Sequence, residues 1–544
     1  MKKYIFLLLV TVFTLQSCES FLEVIPYSFT SPENFYKSEA DFELAINGCY
    51  DIINAGSVQT LGNYDTWGRG LYFMLNGSTD EMITQGTSVP IEYSQWGYGS
   101  YTSDNKFIKN NWFYFYAGIN RCNYLLEKIE NVDFTNDARK TEIKAEAIFL
   151  RGFYYYSLAN LFGGVPLYTT SAQDASAPRN TLEETYNRIL SDLTYAYENL
   201  SDRATNKGGA NKYTAAGYLA KVYTYLGSCK KNNVGESLNF QLNSFDWVDA
   251  DKMYVEALKV TTDIVLNSGY KLIDRYDFNF RETTKSYQYQ ECLFLAEASS
   301  DPGMNKINIW LNNLTPQGNS NVNGGGYGWQ RPLGEMFNKY IPEDKRLNHN
   351  ITGNFSGTIG EETIDGVKYY IPRSISSANT GWICCGKFRY RDPKQKTLPS
   401  WASDGNFPLL RYADILLLHA EALYFNNQEN EARNILTEVR NRSALTVVTD
   451  LNFAYFKADF IEELLDERSR ELCFEGHRRF DLIRFGKITE TINNLSIERT
   501  TGWYNDQVPT LKSSWEEYKI WLPVPVSEID INPNLIQNQG WVNN

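Results

Sequence analysis

"ILLLHAEALYFNNQENEARNILTEVRNR", Ile415–Arg442, carries the clearest architectural signal in the chain. Its first part is apolar at helical spacing, two asparagines break it, and a second helical pattern with acids at its front follows. Ala420 and Ala432 stand twelve positions apart. That is the spacing of the small residues where two helices cross closely in a tetratricopeptide hairpin. "YTAAGYLAKVYTYLG" (Tyr213–Gly227) and "DKMYVEALKVTTDIVL" (Asp251–Leu266) read as a second hairpin, split by a polar insertion at Lys230–Asp246. Further helical patterns cover Glu39–Asn54, Lys106–Ile129, Asp137–Leu161, Thr181–Leu200, Asp249–Asn267, Leu410–Phe425, Asn430–Arg442 and Lys457–Phe474. Ser31 before Pro32 reads as an N-cap. The fold class is mainly α: a tetratricopeptide-like helix-hairpin scaffold with long irregular loops and a few short strands.

The chain of 544 residues, 42% of them hydrophobic, is long enough for a large core. Its net charge is −13 and it has no Lys/Arg-rich run, which argues against nucleic acid. The three histidines are scattered, and neither HExxH nor CxxC occurs, so no catalytic transition-metal site is expected.

"MKKYIFLLLVTVFTLQSC" has two lysines, an apolar run from Tyr4 to Leu15, and a small-residue site before Cys18. Residues 1–17 read as a signal peptide too short to span a bilayer comfortably. "LQSC" resembles a bacterial lipobox, so Cys18 is expected to be acylated and to hold a globular body at a membrane. The remaining seven cysteines are irregularly spaced and read as buried thiols rather than a disulfide framework. No reading of the residues accounts for the adjacent Cys384 and Cys385.

Two stretches lack a helical pattern. Leu61–Asn105 is one; Ser299–Asp404, with "NGGGYGWQRP" and the strand-like "GVKYYIP", is the other. Loops of this length are usually functional.

Five segments resemble the SusD (RagB/SusD) family: the lipobox followed by "ESFLEVIP"; "AEAIFLRGFYYYSLANLFGGVPL" (Ala145–Leu167); "FPLLRYADILLLHAEALYF" (Phe407–Phe425); "ERSRELCFEGHRRFDLIRFG" (Glu467–Gly486); and "WLPVPVSEIDINPNLIQNQGW" (Trp521–Trp541). They follow the family's order over nearly the whole chain. The resemblance implies an outer-membrane, surface-facing lipoprotein that captures oligosaccharides and passes them to a SusC-type TonB-dependent transporter. It implies binding without turnover. The expected organisation is an N-terminal helical region, 18–270, and a C-terminal region, 271–544, with a loop-rich insertion at about 299–404, packed as one body.

A pyranose offers apolar C–H faces and a hydroxyl rim, which exposed Trp and Tyr faces and polar side chains match. The first loop region supplies Trp67, Trp96, Tyr98 and Tyr101; the second supplies Trp310, Tyr327 and Trp329. Trp96 and Tyr98 follow "STDEM", where relatives place a binding aromatic. "GYGWQRP" recurs in the family, which makes packing the alternative role for Trp329. Four acids and no base lie between Asn76 and Asn105, favouring a neutral glycan. No cofactor is expected; "STDEM" and "SDGN" carry oxygen ligands of the kind calcium takes, without fixing a site.

Three alternatives stand beside this reading. A peptide-uptake protein of the same family would present backbone-pairing edges. A glycosidase needs two carboxylates across a cleft, and 65 acids make some such pair certain. A protein that only stabilises its transporter would touch no ligand. The charged stretch Glu467–Gly486 suggests an active site, but its i,i+3 and i,i+4 pairings (Asp466 and Glu467 with Arg470, Glu475 with Arg478 or Arg479) read as a structural network, with Gly476 as a helix C-cap. Replacing Cys18 by Ala is expected to move the protein from the membrane fraction to the soluble one; unchanged partition on fractionation contradicts lipidation.

Overall fold

The computed structural model describes residues 35–54, 66–67, 70–85, 89–299, 327–353, 360–371, 383–388, 404–444, 449–496 and 507–541. Cys18, Ser31, Trp310 and the signal peptide lie outside them.

The helices used below are α1 (Glu39–Tyr50), α2 (Gly70–Asn76), α3 (Ile91–Tyr98), α4 (Lys106–Ile129), α5 (Asp137–Phe162), α6 (Leu182–Asn199), α7 (Lys212–Lys231), α8 (Ala250–Asn267), α9 (Tyr412–Phe425), α10 (Glu429–Asn441), α11 (Phe460–Leu472) and α12 (Arg478–Arg484). Their starts are written in the sequence. Asn105, Asn136, Asn211, Asp249 and Asp459 each accept a hydrogen bond from a first-turn amide, and Thr181 and Glu184 form a capping box. Helix α1 starts at Glu39 behind Ser38. Within Leu61–Asn105, read as non-helical, α2 and α3 form.

Helices α4 to α8 pack in chain order, each on the next; α8 then packs on α9 and α9 on α10. Both expected hairpins form, α7 with α8 and α9 with α10. Ala420 and Ala432 are fully buried. Where α7 crosses α8, a Cβ on Gly227 would stand 2.9 Å from the Tyr254 ring, so only glycine permits that approach. The Tyr254 ring stacks on Phe425 at 4.1 Å and its hydroxyl donates to Glu421, fastening α8 to α9. Arg151 grips Asp192 with two 2.8 Å bonds and donates to Asn123, tying α4, α5 and α6 together.

Among the described residues, eight short strands form four antiparallel pairs: β1 (Met82–Thr84) with β3 (Gln330–Pro332), β2 (Cys292–Ala296) with β8 (Phe407–Arg411), β4 (Ile351–Gly353) with β7 (Ile383–Cys385), and β5 (Gly360–Ile364) with β6 (Val367–Ile371). "GVKYYIP" supplies β6. Cys384 and Cys385 belong to β7, pairing with Thr352 and Ile351. All seven described cysteines are unbridged and buried. The main hydrophobic core of the described residues draws on positions from Phe42 to Leu535.

Two glycines should respond in opposite directions. Gly227→Val forces α7 and α8 apart and is expected to cost about 2–3 kcal/mol. Gly48→Ala, in α1 with no atom within 4 Å of the added methyl, is expected to gain ~0.5–1 kcal/mol. Urea denaturation of the two variants checks both signs.

Candidate functional site

Of the whole chain, the charged stretch Glu467–Gly486 looks most like chemistry. It covers the end of α11, a corner at Cys473–His477, and α12. Glu471 accepts from Arg346 at 3.0 Å, Arg411 at 3.1 Å and Arg442. Glu467 accepts from Arg346, Arg440 and Arg470 at 2.7–2.8 Å. Glu475 accepts from Lys387 at 2.5 Å and Arg411 at 2.7 Å. Asp481 holds Arg468 and Arg484. Arg346, Arg411, Lys387 and these glutamates are essentially inaccessible to water.

Only the Glu467–Arg470 pairing of the four expected ones forms. Asp466 instead meets Lys339 and Lys457. Arg478 leaves Glu475 for Asp80, with two bonds of 2.7 Å. Arg479 donates to the Lys519 carbonyl. Spacing along one helix shows only neighbours on that helix, whereas these partners come from distant segments. Helix α11 ends before Cys473, and Gly476, at φ +86°, lies beyond its cap. Burial works against ionisation of Glu471, but four surrounding cations outweigh it and lower its pKa to about 2. A carboxylate saturated by guanidinium donors and held ionised has no proton to exchange near neutrality, so Glu471 is poorly suited to general-acid work.

The aromatic residues divide sharply. Trp96 is wholly buried and Tyr101 nearly so; their rings stack on each other at 4.0 Å. This corrects the expectation that they offer exposed faces. Tyr93, Trp96 and Gly97 form the inward face of α3. Gly99, at φ +66°, then turns the chain back so that Tyr101 covers Trp96. Tyr98 is half-buried on the same helix. Trp67 leans on Phe407 at 5.7 Å and is half-buried.

Tyr327 and Trp329 behave differently. Their rings stack at 5.0 Å with 19° between planes. Tyr327 keeps 48% of its surface exposed. Trp329 is half-buried and braced edge-on by Tyr93 at 4.9 Å. The Gln85 amide donates to the Trp329 carbonyl at 2.7 Å, continuing the β1–β3 ladder up to the platform. The structure therefore brings together Tyr327, Trp329 and the unanticipated support Tyr93. Tyr93 was legible as an apolar position of α3, had α3 itself been recognised.

A concavity of about 610 Å³ lies between the end of α1, the turn at Asn206–Gly209, Tyr289 and the end of β2. Tyr289 donates to Glu297 at 2.5 Å, and Lys207 lies 5.7 Å from its ring centre. No spacing in the sequence links positions so far apart.

Two of the four acids between Asn76 and Asn105 are internal. Asp80 is neutralised by Arg478 and Lys339, and Glu81 is buried against Ser469. They contribute little surface field, which removes half of the sequence argument for an uncharged ligand. They are also unavailable as oxygen ligands for calcium at "STDEM". Among the described residues, no group of three His, Cys, Asp or Glu comes together to hold a metal.

Two family models match the chain: the SusD family over residues 290–541, and "Starch-binding associating with outer membrane" over residues 20–224. The chain belongs to the SusD family. A SusD-like protein of Formosa agariphila is 28% identical over 520 residues, covering 91% of this chain and 94% of the relative. The starch-binding protein SusD of Bacteroides thetaiotaomicron is 24% identical, covering 80% and 79%. Among solved structures, surface glycan-binding protein A of Bacteroides thetaiotaomicron in complex with laminarihexaose superposes with a TM-score of 0.69. It is 19% identical and covers 92% of this chain and 100% of that one. The helical array is thus the SusD fold.

His477 gives the scaffold a measurable signature. Burial, then the Lys221 charge, lowers its pKa to about 4. The unfolded chain takes up this proton near pH 6.5, so this contribution to stability is complete above pH 6.5 and is lost as pH falls towards 4. Between pH 7 and 4.5, wild type is expected to lose about 2–3 kcal/mol more than His477→Gln. Equal losses in paired urea titrations would contradict the assignment.

Proposed function

We propose that this SusD-family protein is a cell-surface lipoprotein that captures oligosaccharides and hands them to a SusC-type TonB-dependent transporter, binding the sugar without cleaving it. The observation that carries the proposal is the Tyr327–Trp329 stack, an exposed aromatic face on a braced support. Such a face matches the C–H side of a pyranose and loses little conformational entropy on binding. The names of two relatives support the ligand class: one is a starch-binding protein and another is complexed with a laminari-oligosaccharide. The family description adds association with the outer membrane.

In this account the acyl chains on Cys18 hold the helical body at the membrane, with burial worth about 0.8 kcal/mol per CH₂. The lipoprotein acts as a lid over the transporter mouth, and closure passes the bound chain inward. A neutral glycan remains the proposed ligand, because the platform is aromatic and the segment Asn76–Asn105 still carries Glu92 and Asp104 with no basic residue. Trp329 is the platform residue and Tyr327 its outer ring. Tyr98 and Trp67, both half-buried, have a lesser claim, and Trp310 stays a candidate on sequence alone.

A glycan array followed by calorimetry tests the reading. Tyr327→Ala and Trp329→Ala are each expected to weaken binding of an array-positive oligosaccharide by roughly 10- to 100-fold, in line with about 1–3 kcal/mol for losing an aromatic stacking partner. The oligosaccharide should be recovered intact after incubation. Binding of peptides but of no glycan would overturn the proposal in favour of peptide uptake, and cleavage products would overturn it in favour of hydrolysis.

A further inference from the structure

The β1–β3 ladder joins the platform to the ionic corner. It has only three residue pairs: Met82 with Pro332, Ile83 with Arg331, and Thr84 with Gln330. Proline has no amide to donate, so one end of the ladder is weakened. A two-stranded ribbon this short is not stable by itself, and something else must fix its place. At the platform end, Gln85 donates to the Trp329 carbonyl and Gln330 donates to Thr84 Oγ1. At the other end, the Glu81 carbonyl accepts from the Leu333 amide at 3.0 Å.

The root of the ribbon is seated in the corner between α11 and α12. Asp80 takes the bidentate Arg478 contact and Lys339 at 3.0 Å. The Glu81 carboxylate accepts from the Ser469 hydroxyl at 2.8 Å and from the Phe474 amide at 3.2 Å. The Gly476 amide donates to Asn76 at 3.1 Å. Phe474 holds φ +65° and Gly476 φ +86°, a backbone course that lets both amides meet this one segment. A non-glycine residue at positive φ persists only when its surroundings fix it.

We propose that Asp80 and Glu81, with their respective partners Arg478 and Ser469, are positioning residues for ligand binding: they lock the root of the β1–β3 ribbon and so set where the Tyr327–Trp329 platform stands. This rests on the proposal that the platform binds glycan. It also gives the charged stretch a functional role that touches no ligand. Aromatic recognition depends on ring placement within about half an ångström, so a loosened root weakens binding even in a folded molecule.

The test compares Asp80→Asn and the milder Ser469→Ala with Arg484→Met, which opens the ionic scaffold on the side facing Glu421, away from the ribbon. Amide exchange is followed across 82–85 and 329–333, and laminarihexaose and maltohexaose are titrated against each folded variant. Expected are roughly tenfold faster exchange in those two segments, with α4 and α5 unchanged, and roughly tenfold weaker binding for Asp80→Asn and Ser469→Ala only. Unchanged exchange in the ribbon, or an increase spread evenly over the chain, overturns the proposal; so does equal weakening by Arg484→Met. If wild type binds neither sugar, the exchange data still decide the positioning role, and the choice of ligand falls separately.

Discussion

A cation at the centre of this protein has no water to turn to. The Arg411 guanidinium is fully enclosed and donates to Glu291, Glu471 and Glu475. Arg411 closes β8 and stands directly before α9, while Glu471 lies in the last turn of α11 and Glu475 in the corner beyond it. Removing such charges from water costs several kcal/mol per ion, and only near-complete pairing offsets it. Arg346, Arg442 and Lys387 complete that pairing from three further segments. The arrangement is therefore conditional: every segment must arrive for any one charge to be tolerable. Apolar packing alone would allow neighbouring registers, whereas this network penalises them heavily.

The network also explains how a loop-rich ligand face can sit on a helical body. Helices α4 to α10 form a stack whose contacts are mostly between neighbours, and such an array leaves its edges without a second layer. The corner of α11 and α12 closes one edge and offers donors to Asn76, Asp80 and Glu81. From there the chain reaches the aromatic platform within a few residues. Scaffold and ligand surface are thus separate in chemistry and adjacent in space: buried ions on one side, uncharged rings on the other.

How much of this was legible in the sequence follows from the range of the interactions involved. Helix α4 was read with the bounds it has, because Asn105 caps it and a single apolar face repeats along it. The hairpins were legible for the same local reason, and the seven buried thiols followed from their irregular spacing. Trp96 was misread because α3 is only eight residues long and lies between Pro90 and Gly99, so its brief period resembles a loop. The ion pairs failed for want of distance information: Arg478 and Asp80 are 398 positions apart. The Tyr327–Trp329 stack lay partly within view, since both rings were named, but their union against Tyr93 depends on a β ribbon that nothing local specifies.

The central claim is that ligand meets the uncharged aromatic platform while the charged corner only holds the frame. A crystal structure of the protein soaked with an array-positive oligosaccharide tests it most directly. The account predicts an intact sugar ring lying over Tyr327 and Trp329, with the pairs around Glu471 and Arg411 unmoved. Sugar bound against Glu475, His477 or Asp481, or cleaved there, would contradict it.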